Sequence, residues 1–444
     1  MLAIFNTPQK TLLMLAMIAC YALIFIDESG IAVTLPAIQN SFALTTNDMH
    51  WIINSYLLML SVLLLLGGKL SDCYGQRFMF LLGLGGFIIA SLICASAQNN
   101  AWLISGRIAQ GVAASVLLPC ISVLIKNHFP QEHFGKAFGL IIGFSNLFYA
   151  LGPFIGGLVT QYLSWRWFFW LNLPIGLLCY GFTHFSASEQ AGSGSHFSDI
   201  KGLLSFVISI SLLVFALMQS SVWTWYDPRV LLSLIAGFVV LAVFVLFELK
   251  NKRPLLDLRL FKIRNFSAGN LILLCLSICL TLIVFCALWL QKDLGFSPTK
   301  VGLALLPATL TFIFVPHFAG VWHDHSGAKP PLLLGCMLVL LSLVWMVCVI
   351  PLQNYLWFFA GLILFGFGIP LAIPNSIMTI MNSAPAEQAG AASGTFTTIR
   401  QLGLTLGIAL FSAMGSMEAG TLLFAGMAFI ALAASTVLQI KKPI

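Results

Sequence analysis

Residues 68–77 read GKLSDCYGQR and residues 320–329 read GVWHDHSGAK. Gly68, Asp72, Gly75 and Arg77 of the first recur as Gly320, Asp324, Gly327 and Lys329 of the second, each displaced by 252 positions. Both stretches leave a long apolar run, and four matches at one displacement point to duplication of a half-chain unit. In such a loop the aspartate can accept from helix N-terminal amides or pair with an arginine, while the glycine permits a tight turn. A contact of this kind would latch one side of the molecule. Asp324 lies between His323 and His325, but three such side chains within one tight turn do not converge easily on one ion, so no metal is expected.

The rest of the chain explains what kind of unit was duplicated. Of 444 residues 59% are hydrophobic and only 8% charged, against about a quarter charged in soluble domains. An apolar run of about 20 residues crosses a bilayer as a helix, and fourteen such runs occur, at roughly 11–33, 49–68, 78–97, 102–124, 136–159, 167–186, 202–220, 229–248, 266–290, 302–322, 331–350, 354–378, 390–413 and 419–438. The fold expected is an all-α polytopic membrane protein with fourteen transmembrane helices. The first run follows Lys10 like a signal peptide, but it continues through Asp27 without a small-residue cleavage site and reads as a retained helix. Most of the ten cysteines lie inside the runs with no CxxC pair and read as small apolar packing residues.

Lys and Arg are concentrated in cytoplasmic loops of membrane proteins. With the N-terminus inside, the inner loops hold fifteen of them and the outer loops only Arg166, Arg229, Lys292 and Lys300. Both termini are therefore expected in the cytoplasm. The net charge of +7 is spent on this topology and gives no reason to expect nucleic acid. Repeated helical halves around a midplane cavity are a design of secondary transporters. No GxxxxGK[ST] phosphate loop occurs, which argues against an ATP-driven pump or enzyme.

Several motifs together resemble the major facilitator superfamily, specifically its fourteen-span drug:proton antiporter branch. GKLSDCYGQR is similar to the signature loop after helix two. LISGRIAQGVAAS (103–115) resembles the helix-four motif through Arg107, Gln110 and Gly111. LGPFIGG (151–157) resembles the helix-five antiporter motif through Gly152, Pro153, Gly156 and Gly157. WRWFFWLNLPIG (165–176), RPLLDLRLF (253–261) and GTFTTIRQLG (394–403) resemble stretches of the same branch. The chain departs from the patterns at Ala32, Phe148, Cys73 and Gln76. The resemblance implies two six-helix bundles, residues 1–186 and 266–444, joined by a linker at 187–265 that carries two inserted helices. It also implies an exporter, with the helix-five glycines and proline bending that helix.

The charges left inside the membrane are the candidate site. IFIDESGIAVTLPAI (24–38) sets Asp27 and Glu28 within the first span, where an acid costs roughly 2.5–3.5 kcal/mol on insertion scales. A carboxyl in a desolvated cavity can take up and release protons near physiological pH; its alternative is a structural hydrogen bond. Neighbouring helical residues point about 100° apart, so the two acids face different places, and the family position favours Asp27 for proton coupling. Arg107 and Arg400 are buried-charge partners or substrate contacts. Arg107 pairs with a helix-one acid or anchors helix-one carbonyls; Arg400 attracts an anionic group or anchors helices. No other acid lies deep in a span; Glu248 sits at the cytoplasmic end of the eighth and reads as an interface residue. That absence favours neutral, zwitterionic or anionic amphiphiles.

The function expected is proton-coupled export of small amphiphilic molecules across the cytoplasmic (inner) membrane by alternating access, without a cofactor. The alternatives are a proton-linked importer or exporter of one metabolite or metal chelate, such as a siderophore, and a non-transporting sensor. The branch leaves room for a periplasmic adaptor and outer-membrane channel as partners.

Overall fold

The computed structural model describes residues 8–129, 131–188, 199–251, 254–385 and 388–438. Lys252, Arg253, Lys441 and Lys442, part of the topology argument, lie outside these. The described chain is helical: α1 Pro8–Phe42, α2 Thr46–Tyr74, α3 Gln76–Ala95, α4 Asn100–His128, α5 Gln131–Tyr162, α6 Trp165–Trp170, α7 Asn172–Ser186, α8 Ile200–Trp223, α9 Pro228–Lys250, α10 Arg264–Leu280, α11 Leu282–Lys292, α12 Pro298–Ser326, α13 Lys329–Val349, α14 Tyr355–Ser383, α15 Ala389–Met414 and α16 Met417–Thr436.

Thirteen of the described segments are long and apolar enough to cross a membrane, with α10 and α11 counted as one span. The remaining run of the sequence, 167–186, is divided between the short α6 and α7 at Leu171. Pro174, in the first turn of α7, has no N–H for the carbonyl of Trp170 and tolerates only such a first-turn position easily. Thr281 divides α10 from α11, where its N–H turns to Ile278 O at 3.2 Å and its hydroxyl donates to the same carbonyl at 2.8 Å.

Local chemistry sets the ends. Thr45 and Asp48 form a reciprocal capping box at the start of α2, and Asp48 also accepts from Asn100 at the start of α4 at 3.0 Å. Asp227 caps α9 ahead of Pro228, the arrangement that suits orphan N–H groups and proline's fixed φ. The repeated loop glycines supply the two sharp reversals: Gly75 has φ +96° and Gly327 φ +78°, a region open to glycine at no steric cost.

The helices cluster into two units. The first holds α1–α7 with residues 297–303, which include the start of α12; the second holds α8–α11, the rest of α12, and α13–α16. In the first, α1 packs on α5 and α7, and α4 on α2 and α3; in the second, α10 packs on α14, α15 and α16, and α13 on α14 and α16. The inserted pair α8 and α9 pack on each other, and α8 rests on α15.

Small residues bring backbones together in both units, as membrane helices without a hydrophobic drive toward each other require. A Cβ added to Gly30 would lie 2.6 Å from Gly152 O, and one on Gly156 would lie 2.6 Å from Gly30 O. The second unit repeats the device: Gly403 abuts Leu274 O and Gly407 abuts Ile278 O, with added Cβ distances of 2.9 and 2.8 Å. Helix α5 continues without interruption through Pro153. Gly152 and Gly156 face α1, while Gly157 faces the start of α12, where Thr299 N–H donates to Gln161 Oε1 at 3.1 Å.

Alanine substitution separates contact from propensity. At Gly143 an added Cβ meets nothing within 4 Å, so Gly143→Ala is expected to be neutral or stabilising by about 0.5–1 kcal/mol from helix propensity. Gly156→Ala is expected to lose roughly 1–3 kcal/mol to overpacking against the α1 backbone. Unfolding of both variants in detergent measures the difference.

Candidate functional site

The first unit encloses a charged centre built from four helices. Asp27 on α1 and Arg107 on α4 are both 0% exposed. Nη1 of Arg107 donates to Asp27 Oδ1 at 2.8 Å and Oδ2 at 2.6 Å, and the same nitrogen reaches Gln110 Oε1 at 2.9 Å. Nε donates to the carbonyl of Ile52 on α2 at 3.1 Å. The guanidinium carbon lies 4.4 Å from the Tyr56 ring centroid and 5.9 Å from that of Phe169, within cation–π range.

Helical spacing accounts for the convergence. Gln110 lies three residues beyond Arg107 on the same face of α4, and Tyr56 lies one turn beyond Ile52 on α2. Gly111 then lets α4 approach α2 until an added Cβ would lie 2.5 Å from Tyr56 O.

A second layer holds the first. Gln110 Nε2 donates to Ser91 Oγ on α3 at 2.9 Å. Ser91 Oγ in turn accepts from Asn172 Nδ2 on α7 at 3.3 Å and donates to Phe87 O at 2.8 Å. Cys94 Sγ lies 3.4 Å from Gln110 Oε1. The polar chain runs Asp27, Arg107, Gln110, Ser91, Asn172, across α1, α4, α3 and α7, and every member is buried.

This geometry leaves the guanidinium unevenly used. Nη1 carries two hydrogens but faces three acceptors, so Asp27 and Gln110 share it. Nη2, with two more, has no hydrogen-bond partner among the described residues and is shielded from solvent. A buried unsatisfied donor costs about 1–3 kcal/mol. Asp27 and Arg107 are therefore mutually neutralised, yet one arm of the fork remains unspent.

The other sequence-predicted residues are placed as follows. Glu28 follows Asp27 by one residue, and both of its carboxylate oxygens are shielded from solvent. Gly68 lies near the end of α2, and Asp72 is exposed in its last turn. Arg77 Nη2 donates to His184 O at the end of α7 at 2.9 Å. In the repeat, Asp324 is exposed, and Lys329 Nζ donates to Thr436 O at 2.8 Å and Leu438 O at 3.0 Å, at the end of α16. His184 and Thr436 are themselves 252 positions apart. Each loop cation thus sits on carbonyls at the C-terminal end of the last helix of its own unit, where the helix dipole favours positive charge. Arg400 on α15 is half-buried and donates to Gln401 Oε1 at 3.2 Å.

The second unit carries no counterpart of the ion pair at the same displacement, because Asp27 corresponds to Cys279 and Arg107 to Phe359. Among its described polar contacts, His323 Nδ1 lies 3.0 Å from Asn375 Oδ1, and Asn270 Nδ2 donates to Phe266 O at 2.9 Å. Sequence reasoning missed Tyr56, Ser91 and Asn172 as parts of the charged centre. The signal for Ser91 and Asn172 was present as polar residues inside apolar runs; for Tyr56 a ring in such a run carries none.

The profile of the Major Facilitator Superfamily matches residues 17–408. The chain belongs to this superfamily. Among its relatives, the tetracenomycin C resistance and export protein of Streptomyces glaucescens is 30% identical over 421 residues, covering 93% of this chain and 77% of the relative. The multidrug resistance protein Stp of Mycobacterium tuberculosis is 29% identical over 410 residues, covering 90% and 74%. In fold, the chain is similar to a crystal structure of the peptide transporter POT, with a TM-score of 0.72 at 16% identity over 98% of this chain and 94% of that one. The protein is a multi-pass membrane transporter of the superfamily.

A double-mutant cycle tests the energetic unit. Arg107→Ala leaves Asp27 buried without its cation and is expected to destabilise by about 3–5 kcal/mol. Adding Asp27→Asn is expected to recover part of that loss, since no charge is then stranded. Chemical denaturation of the four proteins in detergent gives the coupling energy.

Proposed function

We propose that this transporter exports small amphiphilic molecules from the cytoplasm in exchange for protons, with Asp27 as the proton carrier. The observation that carries the reading is the buried Asp27–Arg107 pair at 2.6 Å. While Asp27 is ionised it holds Nη1 and fixes the guanidinium, leaving the Nη2 hydrogens, unengaged among the described residues, as donors for a substrate oxygen. Protonating Asp27 removes the charge that holds the guanidinium in place and so weakens that donor site. Proton and substrate therefore occupy the centre in alternation, and this alternation produces exchange.

Two further lines support export. The relatives above are named for resistance and export, and α5 carries the Gly-Pro and Gly-Gly pairs of the antiporter motif against α1 and the start of α12. The basic residues favour both termini in the cytoplasm of a cell bounded by an inner membrane. In this reading residues 1–186 and 266–444 form the two transporting bundles, and 187–265 carry the inserted pair. Substrates are neutral, zwitterionic or anionic, since intramembrane arginines rather than further acids face them. A periplasmic adaptor and outer-membrane channel would extend the path.

Transport of a fluorescent amphiphile into inverted vesicles, driven by an imposed pH gradient, tests this reading. Wild type is expected to accumulate the compound and lose it when the gradient is collapsed. Asp27→Asn is expected to reduce gradient-driven accumulation at least tenfold while still exchanging substrate across the membrane. Undiminished accumulation in Asp27→Asn would remove Asp27 from proton coupling.

A further inference from the structure

A second pair of buried acids lies far along the chain from Asp27, at the base of the inserted helices. Asp199 caps α8, its Oδ1 accepting from Gly202 N–H at 3.0 Å. Glu248, in the last turn of α9, is 2% exposed, and its Oε2 accepts from Leu256 N–H at 3.3 Å in the segment that follows. Each carboxyl therefore spends one oxygen on a backbone amide. The other two, Asp199 Oδ2 and Glu248 Oε1, are shielded from solvent and meet no donor among the described residues.

Those two oxygens converge. A Cβ built on Gly202 would lie 2.6 Å from each of them, and the two carboxyl groups are within hydrogen-bonding reach of each other. Gly202 supplies the space in which they meet. Ionised carboxylates are acceptors only, so two charged groups in this arrangement would repel at close range. A single proton converts one into a donor to the other and removes the repulsion.

The surroundings offer no other neutralising charge among the described residues. On α8 and α9, Lys201 and Lys250 are exposed. In the following segment Asp257 caps the short 3-10 helix Leu258–Lys262 by accepting from Arg259 N–H, and the Arg259 and Lys262 side chains are exposed. Arg264 at the start of α10 is exposed as well. Arg400, the one charge on α15, the helix against which α8 rests, donates to Gln401.

We propose that Asp199 and Glu248 bind one proton between them, taken from solvent, as an O–H···O bond that fastens the start of α8 to the end of α9 and to Leu256. This proton site is distinct from the Asp27–Arg107 pair and does not depend on the transport reading.

Infrared spectroscopy of the purified full-length protein at neutral pH tests the assignment. Wild type and Asp27→Asn are expected to show the carbonyl stretch of a protonated carboxylic acid, shifting in D2O. Glu248→Gln and Asp199→Asn are each expected to lose that band; Asn still caps α8 and Gln still accepts from Leu256, so both variants retain their backbone contacts. The native pair holds a proton that the unfolded chain releases at neutral pH, so wild-type stability falls as pH rises through loss of that proton. In the two variants this fall is expected to disappear. The proposal is overturned if the band persists in both variants. It is also overturned if the band appears only when Lys252 and Arg253 are both replaced by Gln, because a cation of the chain would then hold the pair. A sodium- or potassium-dependent rise in Tm that is confined to wild type, with no band, would assign the site to a metal cation instead.

Discussion

Everything around the charged centre follows from the cost of ionising a side chain where there is no water. Removing a carboxylate and a guanidinium from water costs several kcal/mol per ion even after relaxation. Their attraction repays this only when both are close and otherwise well bonded. Asp27 and Arg107 meet the first condition at 2.6 Å. The second is met on one side only: α2 contributes the Ile52 carbonyl and the Tyr56 face, while Gln110, Ser91 and Asn172 carry the polar contacts outward through α3 and α7. Four helices, α1, α2, α3 and α7, are thereby committed to the orientation of one side chain on α4.

That commitment explains the glycines. Apolar helices in lipid have no hydrophobic reason to associate, so contact depends on shape and hydrogen bonding. Gly111 brings α4 onto α2, and Gly30, Gly152 and Gly156 bring α1 onto α5. Larger residues would hold α1 and α4 further from their neighbours, and the ion pair tolerates little displacement because its compensation falls steeply with distance. Small residues and buried charge are two parts of one arrangement.

Much of this was legible in the letters. Fourteen apolar runs and the loop repeat specified a helical membrane protein, and Asp27 and Arg107 stood out as charges in oil. Their partnership did not, since it depends on helix rotation, which a run of apolar residues does not encode. For the same reason Gly30, a lone glycine in α1, gave no sign that it faces Gly152 and Gly156. The interruption at Leu171 divides a run that reads as continuous, because Pro174 alone looks no different from prolines that α5, α12 and α14 carry without interruption. Glu248 reads as an interfacial acid; only the fold brings Asp199, 49 positions earlier, against it.

The loop cations show how a duplication can outlast its spelling. Arg77 and Lys329 grip main-chain oxygens, and any residue except one that distorts the helix end can present such an oxygen. A contact with the main chain constrains the cation and not the side chain that carries the oxygen, and here histidine and threonine serve equally. A comparison of side chains between the two halves therefore understates how alike their contacts are.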